Sequence, residues 1–311
     1  MESEPTILLT GANGQLGLTL QKLWPQAGPH RRFQLLPTDV DSLDITDPDA
    51  ITELMGSRAI AAIVNCAAYT AVDKAEEEVE LAFAINADAA GNLAQAARDQ
   101  NCSLIHISTD YVFAGTATSP YKPEDETGPL GVYGRSKLAG EQAIKQIWPG
   151  RSIVLRASWL YSPYGSNFLL TMLRLMRERE SLSVVDDQLG APTSTHGLVG
   201  VIFAALASPA VHGTYHWCDG AAMSWFEFAG AIQEEALRVG LLERAIPLHP
   251  IASSQYPTPA KRPGYSVLDA TATTAALACP QQDWRDELAL VLKQLAEQRP
   301  AEAGPQGKMS P

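Results

Sequence analysis

Short apolar runs alternate with longer amphipathic segments through the first half of the chain. The runs are rich in β-favouring residues, are bounded by polar or glycine-containing turns, and predict strands at 6–10, 33–36, 61–66, 104–107 and 153–157. The amphipathic segments predict helices after Gly17, at 73–84, at 86–100 and after Tyr133. Strands and helices that alternate in this order indicate an α/β protein with a doubly wound parallel sheet.

The pattern is less regular after residue 158. Apolar periodicity and capping residues predict helices at 167–179, 198–207, after Ser224 and at 283–298, with short strands at 182–185 and 213–217. We therefore expect a first domain at 1–158 and a second, smaller α/β domain, mainly for substrate, at 159–298, some segments of which return to the first domain. The tail at 299–311 is expected to be disordered.

A glycine-rich loop joins the first predicted strand to the first helix. It reads Gly11-Ala12-Asn13-Gly14-Gln15-Leu16-Gly17, a variant of the dinucleotide fingerprint. Glycines let backbone amides at the helix N-terminus approach a pyrophosphate. A tight turn with incidental glycines is the alternative, but strand and helix flank the loop as the fingerprint requires. The loop predicts a Rossmann-type, NAD(P)-binding domain in which Gly11, Asn13, Gly14, Gln15, Leu16 and Gly17 contact the cofactor.

An acidic residue follows the second predicted strand. Asp39 lies 22 residues beyond Gly17, close to the position that binds an adenosine ribose. An acid there favours NADH, whereas Arg31, Arg32 and Thr38 are near in sequence and could accept a phosphate. Both NADH and NADPH therefore stay open as cofactors.

Two further stretches border the predicted cofactor site. Asp44 and Ile45 could border an adenine pocket, or could belong to a turn before a helix capped by Asp47. Small residues at Ala67 and Ala68, followed by Tyr69, end the third strand and would let a cofactor lie against the backbone. We expect all three of these residues to contact it.

The fourth strand ends at Ser108 or Thr109, and a helix opens soon afterwards with Tyr133 and Lys137. Chemistry gathers at the carboxyl ends of strands in open α/β sheets, so Thr109 stands where a substrate would be met. The four-residue spacing puts the phenol and the ammonium on one helix face. A nearby ammonium lowers the pKa of a phenol, so Tyr133 could protonate an oxyanion. Two unrelated surface residues could share that spacing, but the position after the strand end favours a catalytic pair.

Two later residues are candidates for ligand recognition. Trp159 follows the fifth strand, where its ring could stack on a sugar or base or could simply pack in the core. Arg262 lies in the proline-rich stretch 250–264 and offers a planar fork suited to a diphosphate.

Composition excludes several classes of partner. The 311 residues carry a formal net charge of -12, which argues against nucleic acid or an anionic membrane as a partner. The four cysteines are far apart in sequence, which is typical of reduced cytosolic thiols. The first residues show no secretory signal, and no apolar run is long enough for a membrane span, so we expect a cytoplasmic protein. His212 and His216 fall in strand-like sequence and are interpreted as structural, so no metal ligands are assigned.

Several motifs together resemble the dTDP-4-dehydrorhamnose reductase family of extended short-chain dehydrogenases. The likeness spans about 6–295. It includes Gly-Gln-Leu-Gly at 14–17, Asn-Cys-Ala-Ala-Tyr-Thr-Ala-Val-Asp-Lys-Ala-Glu at 65–76, Ser-Thr-Asp-Tyr-Val-Phe at 108–113, Tyr-Gly-Arg-Ser-Lys-Leu-Ala-Gly-Glu at 133–141 and Asp-Asp-Gln-Leu-Gly-Ala-Pro-Thr at 186–193. One departure is Gly131, where the family commonly has asparagine; its loss could loosen the catalytic loop.

The resemblance implies NAD(P)H-dependent reduction of the 4-keto group of a dTDP-6-deoxy sugar to give dTDP-L-rhamnose. Thr109, Tyr133 and Lys137 would form the catalytic set, with Lys137 also holding the nicotinamide ribose. Thr109 and Asp110 would hold the sugar, and Trp159 would line its pocket. Independently of the resemblance, the position of Trp159 at a strand end and the planar fork of Arg262 lead us to expect that these two residues recognise the nucleotide half of the substrate. Some relatives bind magnesium at a subunit interface, so the resemblance allows Mg and a homodimer, without indicating ligands.

Two alternatives stay open on the sequence. One is another nucleotide-sugar enzyme of the superfamily, either an epimerase or a reductase for a different deoxysugar, against which 186–193 argues. The other is a regulatory, non-enzymatic subunit with the same fold. The glycine loop, Tyr133 and Lys137 favour an enzyme.

Overall fold

The structure, a computed structural model, describes residues 4–26 and 28–298. The tail predicted to be disordered, 299–311, lies outside the described residues. The strands are β1 Thr6–Thr10, β2 Gln34–Pro37, β3 Ile60–Asn65, β4 Ser103–Thr109, β5 Ser152–Ala157, β6 Leu160–Tyr161, β7 Leu182–Val185, β8 Leu189–Gly190, β9 Thr193–Ser194, β10 Gly213–Trp217, β11 Met223–Ser224 and β12 Leu248–Ile251.

Six strands form one parallel sheet in the order β10-β5-β4-β3-β1-β2. Every residue of β1 and β5 is buried, which explains their nearly continuous apolar sequence, because helices cover both faces of a parallel sheet. The predicted doubly wound parallel sheet is confirmed. Since all six strands run in one direction, their carboxyl ends meet at the same edge.

Ten α-helices are seen within the described residues. They are α1 Gln15–Leu23, α2 Pro48–Gly56, α3 Val79–Phe83, α4 Ala89–Asp99, α5 Val132–Ile147, α6 Phe168–Glu178, α7 Thr195–Ala207, α8 Trp225–Arg238, α9 Thr271–Leu277 and α10 Trp284–Gln298. The predicted caps at Asp47 and Ser224 are present, the second as a full capping box.

A π-helical turn, Ala84–Asp88, joins α3 to α4. The sequence predicted two helices with a break at this point; the helix instead continues through wider turns. Asn86 in this turn is buried and acts as a bridge. Its Oδ1 accepts from Tyr69 N at 2.9 Å, and its Nδ2 donates to Tyr69 O and to Ser136 Oγ, each at 3.0 Å. The turn thus ties the loop after β3 to helix α5.

The apolar cores do not divide the chain at residue 158, because one of them contains residues from both sides of that position. The core on one face of the main sheet includes residues of α1 and α7, and β10 pairs with β5 in the sheet itself. A second core is built from α6, α8 and α10. The boundary at residue 158 stays a prediction, as does the assignment of 159–298 to substrate.

The part of the chain that the structure describes has neither a helix that could span a membrane nor a cluster of metal-binding side chains. Among residues 4–26 and 28–298, none of the helices combines the length and hydropathy that a bilayer span needs. The same part of the chain holds no group of three or more His, Cys, Asp or Glu side chains that could bind one metal ion. His212 contacts Ala210 O and His216 contacts Tyr121 O, so the two rings have separate partners.

Candidate active site

Helix α5 begins beside a carboxylate from another part of the chain. Gly131 is the N-cap residue and has no side chain to cap the helix, but Val132 N donates to Glu76 Oε1 at 2.7 Å. A Cβ at Gly131 would come within 2.6 Å of that same oxygen. Gly131 was expected to loosen the catalytic loop. Instead, its lack of a side chain leaves room for the Glu76 carboxylate to cap the N-terminus of α5.

Tyr133 lies in the first turn of α5 and is hydrogen-bonded to Thr109. Its ring packs edge-on against Tyr111, with the centroids 5.5 Å apart. Burial raises the pKa of Tyr133 to about 12, while the Thr109 hydrogen bond opposes that rise. The expectation that Lys137 would lower this pKa is therefore wrong for the protein alone. The Tyr133 phenol therefore keeps its proton at neutral pH.

Lys137 is buried one turn further along α5. Its Nζ donates to Ile107 O at 2.7 Å and lies 3.3 Å from His106 Nε2. Burial lowers the pKa of Lys137 to about 8, although Glu141 and Cys66 act to raise it. The lysine is thus held against β4, and its charge changes close to neutral pH.

Asp110 directly follows the strand that carries Thr109. Thr109 Oγ1 donates to Asp110 Oδ1 at 3.0 Å. Burial raises the pKa of Asp110 to about 6, and hydrogen bonds from Ser266 and Thr109 limit the rise. A buried carboxyl group with few neighbours of opposite charge is suited to bind hydroxyl groups of a sugar.

A buried ion pair between β5 and α5 helps to position Thr109 and Lys137. Arg156 on β5 donates to Glu141 on α5 through Nε at 2.9 Å and through Nη2 at 2.7 Å. Ser108 Oγ also donates to Glu141 Oε1. Because Ser108 precedes Thr109 and Glu141 lies one turn after Lys137, the pair fixes α5 against the strand that ends in the active site.

The glycine loop forms one wall of a cavity of about 530 Å³. Gly11 has φ +68°, and a Cβ there would come within 2.5 Å of Ala67 N. The opposite parts of the wall include Thr109, Tyr133, Lys137 and Trp159. The predicted catalytic residues and the predicted pyrophosphate loop therefore face one space.

A second cavity of about 400 Å³ adjoins the first, since Gly14, Cys66 and Ala68 line both. Asp39, Asp44, Ile45 and Leu81 are also among its lining residues, so the adenine-pocket alternative for Asp44 and Ile45 is consistent with the geometry.

Asp39 is already hydrogen-bonded at both oxygens. Its Oδ2 accepts from Asn13 N at 2.8 Å, and its Oδ1 accepts from Val40 N at 2.9 Å. The carboxylate therefore orders the glycine loop as well as facing the second cavity. These bonds leave it fewer lone pairs for a ribose than a free carboxylate would have.

Trp159 forms an aromatic wall together with a residue that the sequence did not suggest. Its ring stacks on Trp225, with the centroids 3.4 Å apart, and both line the larger cavity. Trp159 has φ +47°, an uncommon conformation for a bulky residue. A Cβ at Gly190 would overlap the Trp159 indole, so the indole lies directly over this glycine.

Arg262 has a partner within the chain. Its Nη2 lies 2.9 Å from Asp73 Oδ2, and the side chain is about one-third exposed. The fork is therefore partly engaged, and a contact with a diphosphate stays a prediction. Tyr69 likewise has partners, because its hydroxyl donates to Glu78 Oε2 at 2.5 Å.

Comparisons with known proteins agree with this geometry. A family model described as the RmlD substrate binding domain matches residues 5–297. The chain is 40% identical over 287 residues to a dTDP-4-dehydrorhamnose reductase of Aggregatibacter actinomycetemcomitans, covering 91% of this chain and 96% of that protein. The chain belongs to the dTDP-4-dehydrorhamnose reductase family.

Solved structures show the same relationship. A dTDP-4-dehydrorhamnose reductase from Bacillus anthracis, in complex with NADP, superposes with a TM-score of 0.86 at 36% identity, covering 94% of this chain and all of that one. A UDP-glucose 4-epimerase from Thermus thermophilus superposes with a TM-score of 0.77 at 17% identity, covering 95% of this chain and all of that one, and shows the shared fold alone.

Within this family member, most of the predicted site residues line the two adjoining cavities. They are Gly11, Asn13, Gly14, Gln15, Leu16, Gly17, Asp39, Asp44, Ile45, Ala67, Ala68, Thr109, Asp110, Tyr133, Lys137 and Trp159. Tyr69 and Arg262 are not lining residues of either cavity. Trp225 was missed, because nothing local in the sequence shows that α8 reaches the larger cavity. His106 was missed as well; it lines neither cavity but contacts the Lys137 nitrogen from behind the site.

Proposed function

We propose that this protein is a dTDP-4-dehydrorhamnose reductase that reduces the 4-keto group of dTDP-4-dehydro-6-deoxy-L-mannose to give dTDP-L-rhamnose. The observation that carries the proposal is the single cavity shared by Thr109, Tyr133, Lys137 and the glycine loop. Membership of the family, together with the relatives named above, supports the choice of substrate and of a reduced nicotinamide as reductant.

The residues of the chain fit NADH or NADPH. A Cβ at Gly11 would collide with the backbone of Ala67 and one at Gly17 with the backbone of Gly11, so the glycines let the loop pack closely against its neighbours. Helix α1 begins at Gln15, so its free amides can hold a pyrophosphate. Asp39, Asp44 and Ile45 would hold the adenosine half, while Lys137 would hold the nicotinamide ribose. A bound reduced nicotinamide supplies the hydride for C4 of the sugar. Among the described residues no group of three or more His, Cys, Asp or Glu side chains could hold one metal ion, and no step is assigned to Mg.

Tyr133 would supply the proton. Burial raises its pKa to about 12, so the phenol is protonated at neutral pH and can give its proton to the C4 oxygen as negative charge develops there. Thr109, hydrogen-bonded to the phenol, would orient the same oxygen. The ketone would thus gain the hydride at C4 and the Tyr133 proton at its oxygen.

Substrate recognition would use the aromatic wall and the neighbouring loops. Trp159, backed by Trp225, presents a flat face on which the thymine or the sugar can stack. Asp110 would accept hydrogen bonds from sugar hydroxyls, and Arg262 would have to exchange part of its contact with Asp73 to reach a diphosphate. A homodimer and a cytoplasmic location stay predictions.

The test is an activity assay with dTDP-4-dehydro-6-deoxy-L-mannose and each reduced cofactor, following both the loss of reduced nicotinamide and the appearance of dTDP-L-rhamnose. Tyr133→Phe should lower turnover by about 100-fold or more, the scale of a lost general acid, while the cofactor dissociation constant changes by less than about twofold. Unchanged turnover in this variant would remove Tyr133 from the mechanism. A wild-type protein that converts no dTDP-sugar would overturn the proposed substrate.

A further inference from the structure

Three buried polar side chains stand in a row behind the active site. Asn65 ends β3, His106 lies in β4, and Lys137 lies on α5; none is more than 2% exposed. Asn65 Nδ2 is 2.9 Å from His106 Nδ1, and His106 Nε2 is 3.3 Å from Lys137 Nζ. The direction of each hydrogen bond in this row depends on where the protons of the imidazole are.

The orientation of the Asn65 amide is fixed by a backbone group. Ala67 N donates to Asn65 Oδ1 at 3.1 Å, and Thr10 Oγ1 donates to the same oxygen at 2.7 Å. A backbone N–H can only donate, so the atom that it meets must be the oxygen. The amide nitrogen, which also only donates, therefore faces His106 Nδ1.

This orientation determines the tautomer of His106. Because Asn65 Nδ2 donates to Nδ1, that ring nitrogen must offer a lone pair, and a neutral imidazole then carries its proton on Nε2. Burial, with a further contribution from Lys137, lowers the pKa of His106 well below its usual value, so the ring is neutral. The Nε2–H group points at Lys137 Nζ.

An ammonium and an amine respond differently to this group. An ammonium has only donors, so Nε2–H and an ammonium would place two donors against each other. An amine has a lone pair and can accept from Nε2–H while it still donates to Ile107 O. The row of hydrogen bonds is complete only when Lys137 is an amine.

We propose that Asn65 and His106 are positioning residues that lower the proton affinity of Lys137 by presenting the Nε2–H group of His106 to its nitrogen. The consequence for catalysis rests on the proposed function, in which Lys137 acts beside Tyr133. The statement about the tautomer and the charge of Lys137 does not depend on that function.

The other groups that face Lys137 come from the neighbouring strands and from its own helix. Cys66, just after β3, and Glu141, on α5, act to raise the pKa of Lys137, whereas burial lowers it to about 8. Tyr133 precedes Lys137 on the same helix and stays neutral, because burial raises its pKa to about 12. The His106 donor therefore opposes a carboxylate that would otherwise keep the lysine charged.

Nitrogen NMR on protein labelled at the histidine rings tests the tautomer without any substrate. The His106 signals, assigned by their loss in His106→Asn, should show a proton on Nε2 and none on Nδ1 at neutral and mildly alkaline pH. Asn65→Asp replaces the donor with an acceptor and should move the proton to Nδ1. A wild-type ring protonated on Nδ1, or on both nitrogens, would overturn the proposal.

Lysine-selective NMR then follows the titration of Lys137, assigned with Lys137→Met. His106→Asn keeps an acceptor for Asn65 but removes the donor that faces Lys137, so the pKa of Lys137 should rise by about one unit or more, a tenfold change in proton affinity. His106→Gln should raise it as well, because its amide oxygen can accept from an ammonium. No rise in either variant would refute the role of His106, whether or not the protein reduces a dTDP-sugar.

Discussion

The buried pair of Arg156 and Glu141 should be among the most sensitive points of the fold. Both side chains are 6% exposed, and their two closest contacts are 2.7 and 2.9 Å. Arg156→Met removes the cation but leaves the Glu141 carboxylate buried, with Ser108 as a remaining donor. Breaking one side of a buried pair costs about 3–5 kcal/mol, because an uncompensated charge stays in the interior.

Urea unfolding measures this cost. With a slope of about 3 kcal/mol/M, a loss of about 4 kcal/mol lowers the midpoint by about 1.3 M. Arg156→Met combined with Glu141→Met should recover most of the loss, since an apolar pair leaves no buried charge. Arg174→Met is the matched control: its pair with Glu178 has side chains 59% and 50% exposed, so its loss should cost less than about 0.5 kcal/mol.

Two results would refute this reasoning. One is a loss of less than about 1 kcal/mol in Arg156→Met, which would mean that the interior solvates the Glu141 carboxylate without its partner. The other is a double variant as unstable as the single one, which would mean that packing rather than charge sets the cost. In either case α5 would be positioned mainly by its apolar contacts.

Three other changes test separate parts of the site. Glu76→Ala removes the cap at Val132 N and should lower the free energy of unfolding by about 1 kcal/mol in urea titration; no change would mean that water caps the helix equally well. Because Asp39 is already bonded to two backbone amides, kcat/KM should favour NADH over NADPH by less than about 100-fold, or about 2.7 kcal/mol, and a larger ratio would contradict this. Trp159→Ala should raise KM for the dTDP-sugar while the dissociation constant for NADPH, measured by titration, stays within about twofold; the reverse result would place the indole on the cofactor side.

The sequence was informative wherever function follows from position along a strand. Apolar runs located the strands of the main sheet, and parallel strands end at one edge, so the order of residues along the chain was enough to place Thr109 and Trp159 near the glycine loop. The helix that carries Tyr133 and Lys137 was predicted from the four-residue spacing of this pair and from the good helix formers that follow it.

Contacts between distant segments could not be predicted in this way. Trp225 stacks on Trp159 only because α8 packs beside the mouth of the cavity. The charge environment of Tyr133 was also misjudged, since sequence spacing cannot show that the Lys137 nitrogen bonds to Ile107 O and that burial dominates the pKa. The contact of Arg262 with Asp73, 189 residues earlier in the chain, could not be read from the sequence either, and its predicted role in binding a diphosphate stays a prediction.

The overlap between position 190 and the Trp159 indole makes the two positions genetically interdependent. Any side chain at Gly190, even the methyl group of alanine, must displace the indole and therefore acts as a loss of the aromatic wall. The same alanine becomes harmless to packing once position 159 carries a small residue. The two sites should thus show strong epistasis in stability: Gly190→Ala should lower the free energy of unfolding far more in the wild-type chain than in a chain that already carries Trp159→Ala.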